Sequence, residues 1–341
     1  MPAKRPVPAP AALTPMAFAR AIAAAYRRHG RSPDEALALA QITPGQLQQP
    51  GGRMTAGQME VLSAAAMQEL DDEGLAAFGR RLPWGSYGML ARASISSPDL
   101  GLALRRWCRH HGLLTDDVAL EVSAQGTAAA IVLRELHPLP REVRELSIAF
   151  LLRNIHGLAC WYVDSRIPLQ EVRLPFPAPP HADAYQHMFP GPVRFGAEQA
   201  ELRFDAGYLK LPLRRDERAL NQMLQRALSI PVLPYRRDRL LVTQVRQALA
   251  THPERAHSAE RLADLLHVSP RTLHRQLKEE GASLQQLKDE VRLERAKDLL
   301  CRTDKPVKQV AAAVGFRNEK SFSRAFRLWT GQSPSALREA G

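Results

Sequence analysis

Two short stretches near the end of the chain concentrate side chains suited to meeting a polyanion. Around Leu273 and Leu277 stand Arg271, His274, Arg275 and Lys278; around Phe322 and Phe326 stand Glu319, Lys320, Ser323 and Arg324. Residues four apart share a helix face, so when each apolar pair turns inward the polar residues turn outward. A short exposed helix, about 10 Å across, fits a DNA major groove about 12 Å wide. From residue 236 to the end the chain has 21 Lys and Arg against 13 Asp and Glu, so +8 of the formal +12 lies there. That bias favours a polyanionic partner. An anionic membrane surface would share the preference, but no long basic amphipathic face with bulky apolar residues accompanies the charge.

The elements that must position these side chains occur twice. Leu262, Ala263 and Leu266 correspond to Val310, Ala311 and Val314 at a shift of 48 residues; Leu273, Arg275 and Leu277 correspond to Phe322, Arg324 and Phe326 at a shift of 49, so the second turn is one residue longer. Each copy, at residues 258–279 and 306–328, predicts a short helix, a tight turn and a second helix, with a small alanine where the two cross. The second helix carries start signals both times, Ser269 before Pro270 and Asn318 before Glu319. One such pair would suit an ordinary helical bundle with a solvated basic face; two in register point to paired helix-turn-helix motifs. Between them, residues 283–300 read as one helix, roughly 27 Å long at 1.5 Å per residue. With the flanking helix widths, the two outward helices lie about 34 Å apart, one turn of DNA, so a monomer can occupy two successive major grooves.

Residues 239–338 resemble the DNA-binding domain of AraC/XylS-type transcription regulators. The resemblance is carried by Ser-Pro-Arg-Thr-Leu-His-Arg275, by Gly281-Ala-Ser-Leu and Val-Arg-Leu-Glu-Arg-Ala-Lys-Asp-Leu-Leu300, and by Val-Gly-Phe316, Ser-Phe-Ser-Arg-Ala-Phe326, Gly331-Gln-Ser-Pro334 and Arg338. Leu284 and Leu337 stand where the family often has aromatics, a difference of packing. The resemblance implies base-edge contacts from Arg271, His274, Arg275, Glu319, Lys320, Ser323 and Arg324, with Thr272 and Lys278 completing the DNA-binding set. Arginine can donate bidentately to guanine, lysine can do similar work, and glutamate can accept from cytosine N4. Arg275 and Arg324, at matching positions, are the foremost candidates.

Enzyme chemistry finds no support in the residues. Gly85-Ser-Tyr-Gly88 is not a nucleophile elbow, and neither a P-loop nor a GxGxxG is present. His110 and His111 are adjacent and would point about 100° apart on a helix, without a Cys/His array nearby. Cys108, Cys160 and Cys301 are far apart, which fits buried thiols in a reducing cytoplasm. No cofactor and no metal site is expected. The first apolar stretch is broken by Pro6, Pro8, Pro10, Pro15 and Arg20, a poor signal peptide, and no segment has the roughly 18 uninterrupted apolar residues of a membrane span.

The first two hundred residues predict a mixed fold. Residues 16–28, 59–78 and 141–163 read as helices, and 118–122, 128–133, 171–176 and 201–204 as strands. Arg81-Leu-Pro-Trp-Gly-Ser-Tyr-Gly-Met-Leu90, Ser96-Ser-Pro-Asp-Leu-Gly-Leu-Ala-Leu104, Tyr185-Gln-His-Met-Phe-Pro-Gly-Pro-Val-Arg-Phe195 and Leu209-Lys-Leu-Pro-Leu213 resemble the amino-terminal domain of the ornithine-utilisation and virulence-regulator branch of that family. The resemblance implies an effector-sensing and sometimes dimerising domain, without naming the ligand. Trp84, Tyr87, His111, Trp161 and Tyr162 suit either a pocket or an aromatic core.

The expected architecture is a mixed α/β (α+β) amino-terminal effector domain followed by an all-α domain with two helix-turn-helix motifs. Its divisions are a disordered Pro/Ala-rich tail at 1–15, an effector-sensing or dimerisation domain at 16–212, a helical linker at 213–237 and the DNA-binding domain at 238–341. The expected function is a cytoplasmic, sequence-specific transcription regulator, not an enzyme. Its partners would be double-stranded promoter DNA, RNA polymerase in the family's activating mode, and a small-molecule effector, with a homodimer left open and no membrane. Two rivals stand beside it: a low-specificity architectural DNA-binding protein, and an enzyme domain fused to a DNA-binding tail. The second wants an activated Cys beside a base or metal-spaced cysteines, and the sequence offers neither.

Overall fold

A computed structural model describes residues 12–189, 191–224, 239–252, 258–279 and 282–340. The chain divides into two compact units, Met1–Tyr235 and Arg236–Gly341. The first contains, in order, β1 (Ala12–Pro15), α1 (Met16–Arg28), α2 (Asp34–Leu39), α3 (Pro44–Gln48), β2 (Arg53–Thr55), α4 (Ala56–Glu69), α5 (Ser86–Ile95), α6 (Leu100–His111), β3 (Val118–Gln125), β4 (Ala128–Glu135), α7 (Arg141–Val163), β5 (Leu169–Leu174), α8 (Tyr185–Met188), β6 (Val193–Phe195), β7 (Ala200–Asp205) and α9 (Glu217–Leu224). The mixed α/β character read from the sequence is what the structure has.

Five strands form one sheet in the order β3-β4-β7-β5-β6, antiparallel except for β5 with β6. Gly126, at φ +60, turns β3 into β4 so that Gln125 pairs with Ala128. Alternation separates the faces. Leu120, Ile131, Leu202 and Val172 are buried, while the opposite face carries ion pairs of Arg173 with Glu171 (2.8 Å), Arg203 with Glu201 (2.7 Å) and Arg134 with Glu121. Helix α7 is the centre of the core, burying fourteen residues that include Leu146, Leu152, Ile155 and Leu158. Its length and composition would suffice to cross a membrane, yet 67% of its most apolar window is buried inside the protein.

Two local expectations need correction. Residues 12–15, assigned to a tail by composition, form β1, which pairs with β2 and leads directly into α1; residues 1–11 lie outside the described residues. The helix expected over 59–78 ends at Glu69. Beyond it the buried Asp72 carboxylate accepts from the backbone N–H groups of Gly74 (3.0 Å), Ala76 (2.8 Å) and Leu82 (3.1 Å), folding the chain into a loop with left-handed Asp71, Leu75 and Ala76. Several charge-assisted hydrogen bonds to one carboxylate outweigh a weak helical preference. Of the segment read as a helical linker, α9 is described. It packs on α5, where Arg92 donates to Asn221 (2.7 Å) and Gly88 leaves space that a Cβ would fill 3.2 Å from Leu224. Residues 225–238 lie outside the described residues.

The second unit is helical: α10 (Arg239–Thr251), α11 (Ala259–Leu265), α12 (Pro270–Glu279), α13 (Leu284–Arg302), α14 (Val307–Ala313), α15 (Glu319–Thr330) and α16 (Pro334–Ala340). It has two small cores that share α13. Leu284 and Leu287 of α13 pack with Val245, Leu262, Leu273 and Leu277 in the first. Ala296 and Leu300 pack with Val310, Ala311, Phe322 and Phe326 in the second. The repeat extends to the backbone of the turns. Val268 N–H donates to Ala263 O (3.0 Å), as Phe316 N–H does to Ala311 O (2.9 Å). The residue between helix and turn is left-handed both times, His267 at φ +54 and Gly315 at φ +87. Arg292 of α13 lays its guanidinium 5.3 Å from the Phe316 ring, and Arg338 donates to the Leu300 carbonyl (3.3 Å) and to the Lys305 carbonyl (2.6 Å), tying α16 to the end of α13 and the segment after it.

Two outcomes follow. A non-glycine residue in the left-handed region costs about 1 kcal/mol, so His267→Gly should raise the denaturant midpoint of the helical unit, and Gly315→Val should lower it. The first unit should lose stability in acid. His111 is fully buried, stacked on Trp107 with ring centroids 5.3 Å apart, and among the described residues neither ring nitrogen has a hydrogen-bond partner. Burial lowers it to about 4 from an ordinary 6.5. Its folded pKa lies below the unfolded one, so the unfolded chain binds the extra proton. Its stability contribution is complete above pH 6.5 and falls towards pH 4, by about 1.4 kcal/mol per pH unit at most. Thermal melts of the full chain between pH 7 and 4.5 should show that decline for the first unit, and His111→Phe should flatten it.

Candidate nucleic-acid interface

The outward helices begin on side-chain caps. Ser269 Oγ accepts the Thr272 N–H (3.1 Å) and Asn318 Oδ1 accepts the Ser321 N–H (2.8 Å), so each chain end is fixed before the first exposed side chain. On α12, Leu273 and Leu277 are buried and Arg271, His274, Arg275 and Lys278 are exposed; Thr272 is half-buried, its hydroxyl 2.8 Å from Ser269 Oγ. On α15, Phe322 and Phe326 are fully buried, Glu319, Lys320 and Arg324 are exposed, and Ser323 is half-buried. His274 also sits near Glu260, whose carboxyl is held below its ordinary range by its own backbone N–H and the Ser258 hydroxyl, with His274 and Lys288 contributing charge. Helix α13, nineteen residues and about 28 Å at 1.5 Å per residue, separates the two cores that seat α12 and α15.

The shift of 49 residues reaches further than the candidate set taken from it. Thr272 maps to Ser321 and Lys278 to Arg327, both exposed on α15 beside Lys320 and Arg324, and both missed. Applying the shift to every candidate residue of α12, Thr272 and Lys278 included, would have found them. Leu328, 86% exposed, lies one turn after Arg324 on the same face. It was also missed, because an apolar residue in a basic helix reads by default as core.

The first unit has a partly open cavity of about 530 Å³. Phe18 of α1, Met59 of α4, Phe150 and Arg153 of α7, and Leu224 of α9 contribute to its wall. Trp84 and Tyr87 line it as well, whereas His111, Trp161 and Tyr162 are core. Tyr162 donates to the Ala91 carbonyl (2.9 Å), and Arg215 covers the Trp161 ring at 5.5 Å.

Two other constellations are accounted for structurally. Cys160 Sγ lies 3.7 Å from His156 Nε2, a neighbour the sequence did not reveal. Burial raises the thiol to about 12 and lowers the imidazole to about 4, and Nε2 is engaged with the Ile167 carbonyl (2.9 Å), so no thiolate is favoured. Cys108 is likewise buried and pushed up to about 12, while Cys301 is exposed, contrary to the expectation of a buried thiol, because it lies on the solvent side of α13. Among the described residues Asp116, Asp117 and His137 bring donor atoms within 4.8 Å of one another. Asp117 is committed to structural contacts, accepting from the Gly79 N–H of a distant loop (2.8 Å) and from the Thr115 hydroxyl of its own turn (2.8 Å).

Comparison with known proteins converges on one family. Residues 30–213 match the arabinose-binding domain of AraC transcription regulator, N-term, and residues 262–340 match a helix-turn-helix domain. The chain is 30% identical over 341 residues to the ornithine utilization regulator of Pseudomonas aeruginosa, covering 99% of both, and 27% identical over 333 residues to the HTH-type transcriptional regulator VirS of Mycobacterium tuberculosis, covering 92% of this chain and 93% of that one. The bifunctional transcriptional activator/DNA repair enzyme AdaA of Bacillus subtilis is 37% identical over 81 residues, 24% of this chain and 38% of its own, within the helix-turn-helix part. With an arabinose-binding-type first unit and a helix-turn-helix second unit, the chain belongs to the AraC family of transcription regulators.

Proposed function

We propose that α12 and α15 read successive major grooves on one face of double-stranded promoter DNA. The supporting observation is that two capped helices with exposed cationic faces are seated on separate cores of one continuous helix. In this reading Arg271, His274 and Arg275 contact base edges in one groove, and Glu319, Lys320, Ser323 and Arg324 in the next; Thr272 and Lys278 help to orient the first helix. Arg275 and Arg324 donate bidentately to guanine. The first unit holds a small-molecule effector in its cavity, and occupancy acts through α9, which supplies Leu224 to the wall. The protein works in the cytoplasm as an activator that contacts RNA polymerase, without an enzymatic activity of its own, and the first unit is its surface for homodimer formation.

The DNA reading is tested on a site selected from random DNA. Arg275→Ala and Arg324→Ala should each weaken that site by about 1 to 3 kcal/mol and relax preference at one or two base pairs, about 10 base pairs apart, with little change for random DNA. Equal loss for both DNAs would make these arginines phosphate clamps, and near-equal affinity of the parent for both would favour the architectural reading. For the effector, a metabolite mixture that changes operator affinity should lose that effect in Met188→Trp, which fills part of the cavity.

A further inference from the structure

We propose that the cavity of the first unit receives an uncharged, largely apolar molecule bearing at most one neutral polar group. The inference rests on the effector reading and names the chemistry of that ligand. Six buried apolar side chains stand in the wall: Phe18 of α1, Met59 and Met67 of α4, and Leu146, Leu151 and Leu158 of α7. Leu13 and Trp84 line it too, and at 44% and 45% exposure they present apolar surface that a ligand would take out of water. Removing such surface from water is the main favourable contribution this wall can make to binding. A space of about 530 Å³ lies within the usual range of small-molecule sites.

Three ionic groups of the wall are engaged inside the protein. Glu73 accepts the Gly85 (2.8 Å) and Tyr87 (2.7 Å) N–H groups at the start of α5, and Arg92 donates to Asn221 (2.7 Å). Arg153 of α7 interacts within the protein as well, its guanidinium 5.9 Å from the Phe189 ring. Both wall serines are likewise committed, Ser63 donating to the Met59 carbonyl (2.7 Å) and Ser147 to the Val143 carbonyl (2.8 Å). Glu60 is half-exposed and His187 exposed, so both keep contact with water. A charged ligand would therefore give up its hydration for groups that already have partners, and a charge taken out of water on those terms is strongly penalised. A sugar fares no better, although the first unit is of the arabinose-binding type: it brings a hydroxyl at nearly every carbon, and each one buried without a partner is a cost. Asn154, half-buried on α7, is a neutral side chain that both donates and accepts, so one carbonyl or hydroxyl of the ligand can be met.

The test is calorimetric titration of the full chain at neutral pH with octan-1-ol, octanoate and octylamine, which share one apolar body, and with L-arabinose and L-ornithine. Octan-1-ol should bind one site per chain, at least about tenfold more tightly than octanoate or octylamine. Met188→Trp, which fills part of the cavity, should weaken octan-1-ol about tenfold. Trp84→Ser, which takes an exposed apolar side chain out of the wall, should weaken it about threefold. Circular dichroism melts verify the fold of both, and the second variant serves if the first does not fold. Equal or tighter binding of octanoate or octylamine would overturn the proposal in favour of an ionic anchor. Unchanged octan-1-ol binding in the folded variants would put the alcohol outside the cavity and overturn it too. Binding of arabinose or ornithine without octan-1-ol would overturn the ligand class and leave the effector reading intact. Silence of all five overturns the class as stated, while the effector reading is judged separately by the effect of Met188→Trp on the operator response to the metabolite mixture.

Discussion

The second unit depends on the continuity of α13. Its first turns contribute Leu284 and Leu287 to one core, and its last turns contribute Ala296 and Leu300 to the other. A capping box at Ser283 and Gln286 fixes where it begins, and Arg338 secures the segment after its end. Because a helix turns about 100° and rises 1.5 Å per residue, the separation and relative rotation of α12 and α15 are set by one backbone. A single inserted residue in α13 would leave both cores packable but rotate one exposed face away from the other. The sequence between the two motifs is therefore constrained in length more tightly than in composition.

The first unit is organised by buried carboxylates. Asp72 gathers three backbone N–H groups and Glu73 two more, so one dipeptide shapes the chain from the end of α4 to the start of α5. That segment supplies Trp84, Gly85 and Tyr87 to the cavity wall. The wall is thus built on hydrogen bonds made elsewhere, which keeps an apolar space open without an apolar loop.

Legibility of the structure followed the range of the interactions. Helix α7 was readable to its bounds because its apolar period is local and Pro140 and a left-handed Asp164 end it. The helix-turn-helix cores were readable for the same reason, doubled by the repeat. The early end of α4 was not, since it depends on Asp72 reaching Leu82. Strand β1 was hidden by its Pro/Ala-rich surroundings, and only its pairing with β2 gives it a structure. Ser321 and Arg327 were within reach of the repeat and were overlooked. The cavity was not readable, because its wall draws on segments from Leu13 to Leu224.

The two small cores carry one more consequence. Each seats its own outward helix, and α13 contributes residues to both. If α12 and α15 read DNA as proposed, two readers on one rod behave as a tethered bivalent ligand. When one reader lets go of its groove, the rod keeps it at a high local concentration near the same groove, so it rebinds before the whole molecule departs. Residence on DNA then grows far more than the strength of either reader, and weak individual readers suffice, which lets the molecule step between neighbouring sites while it searches.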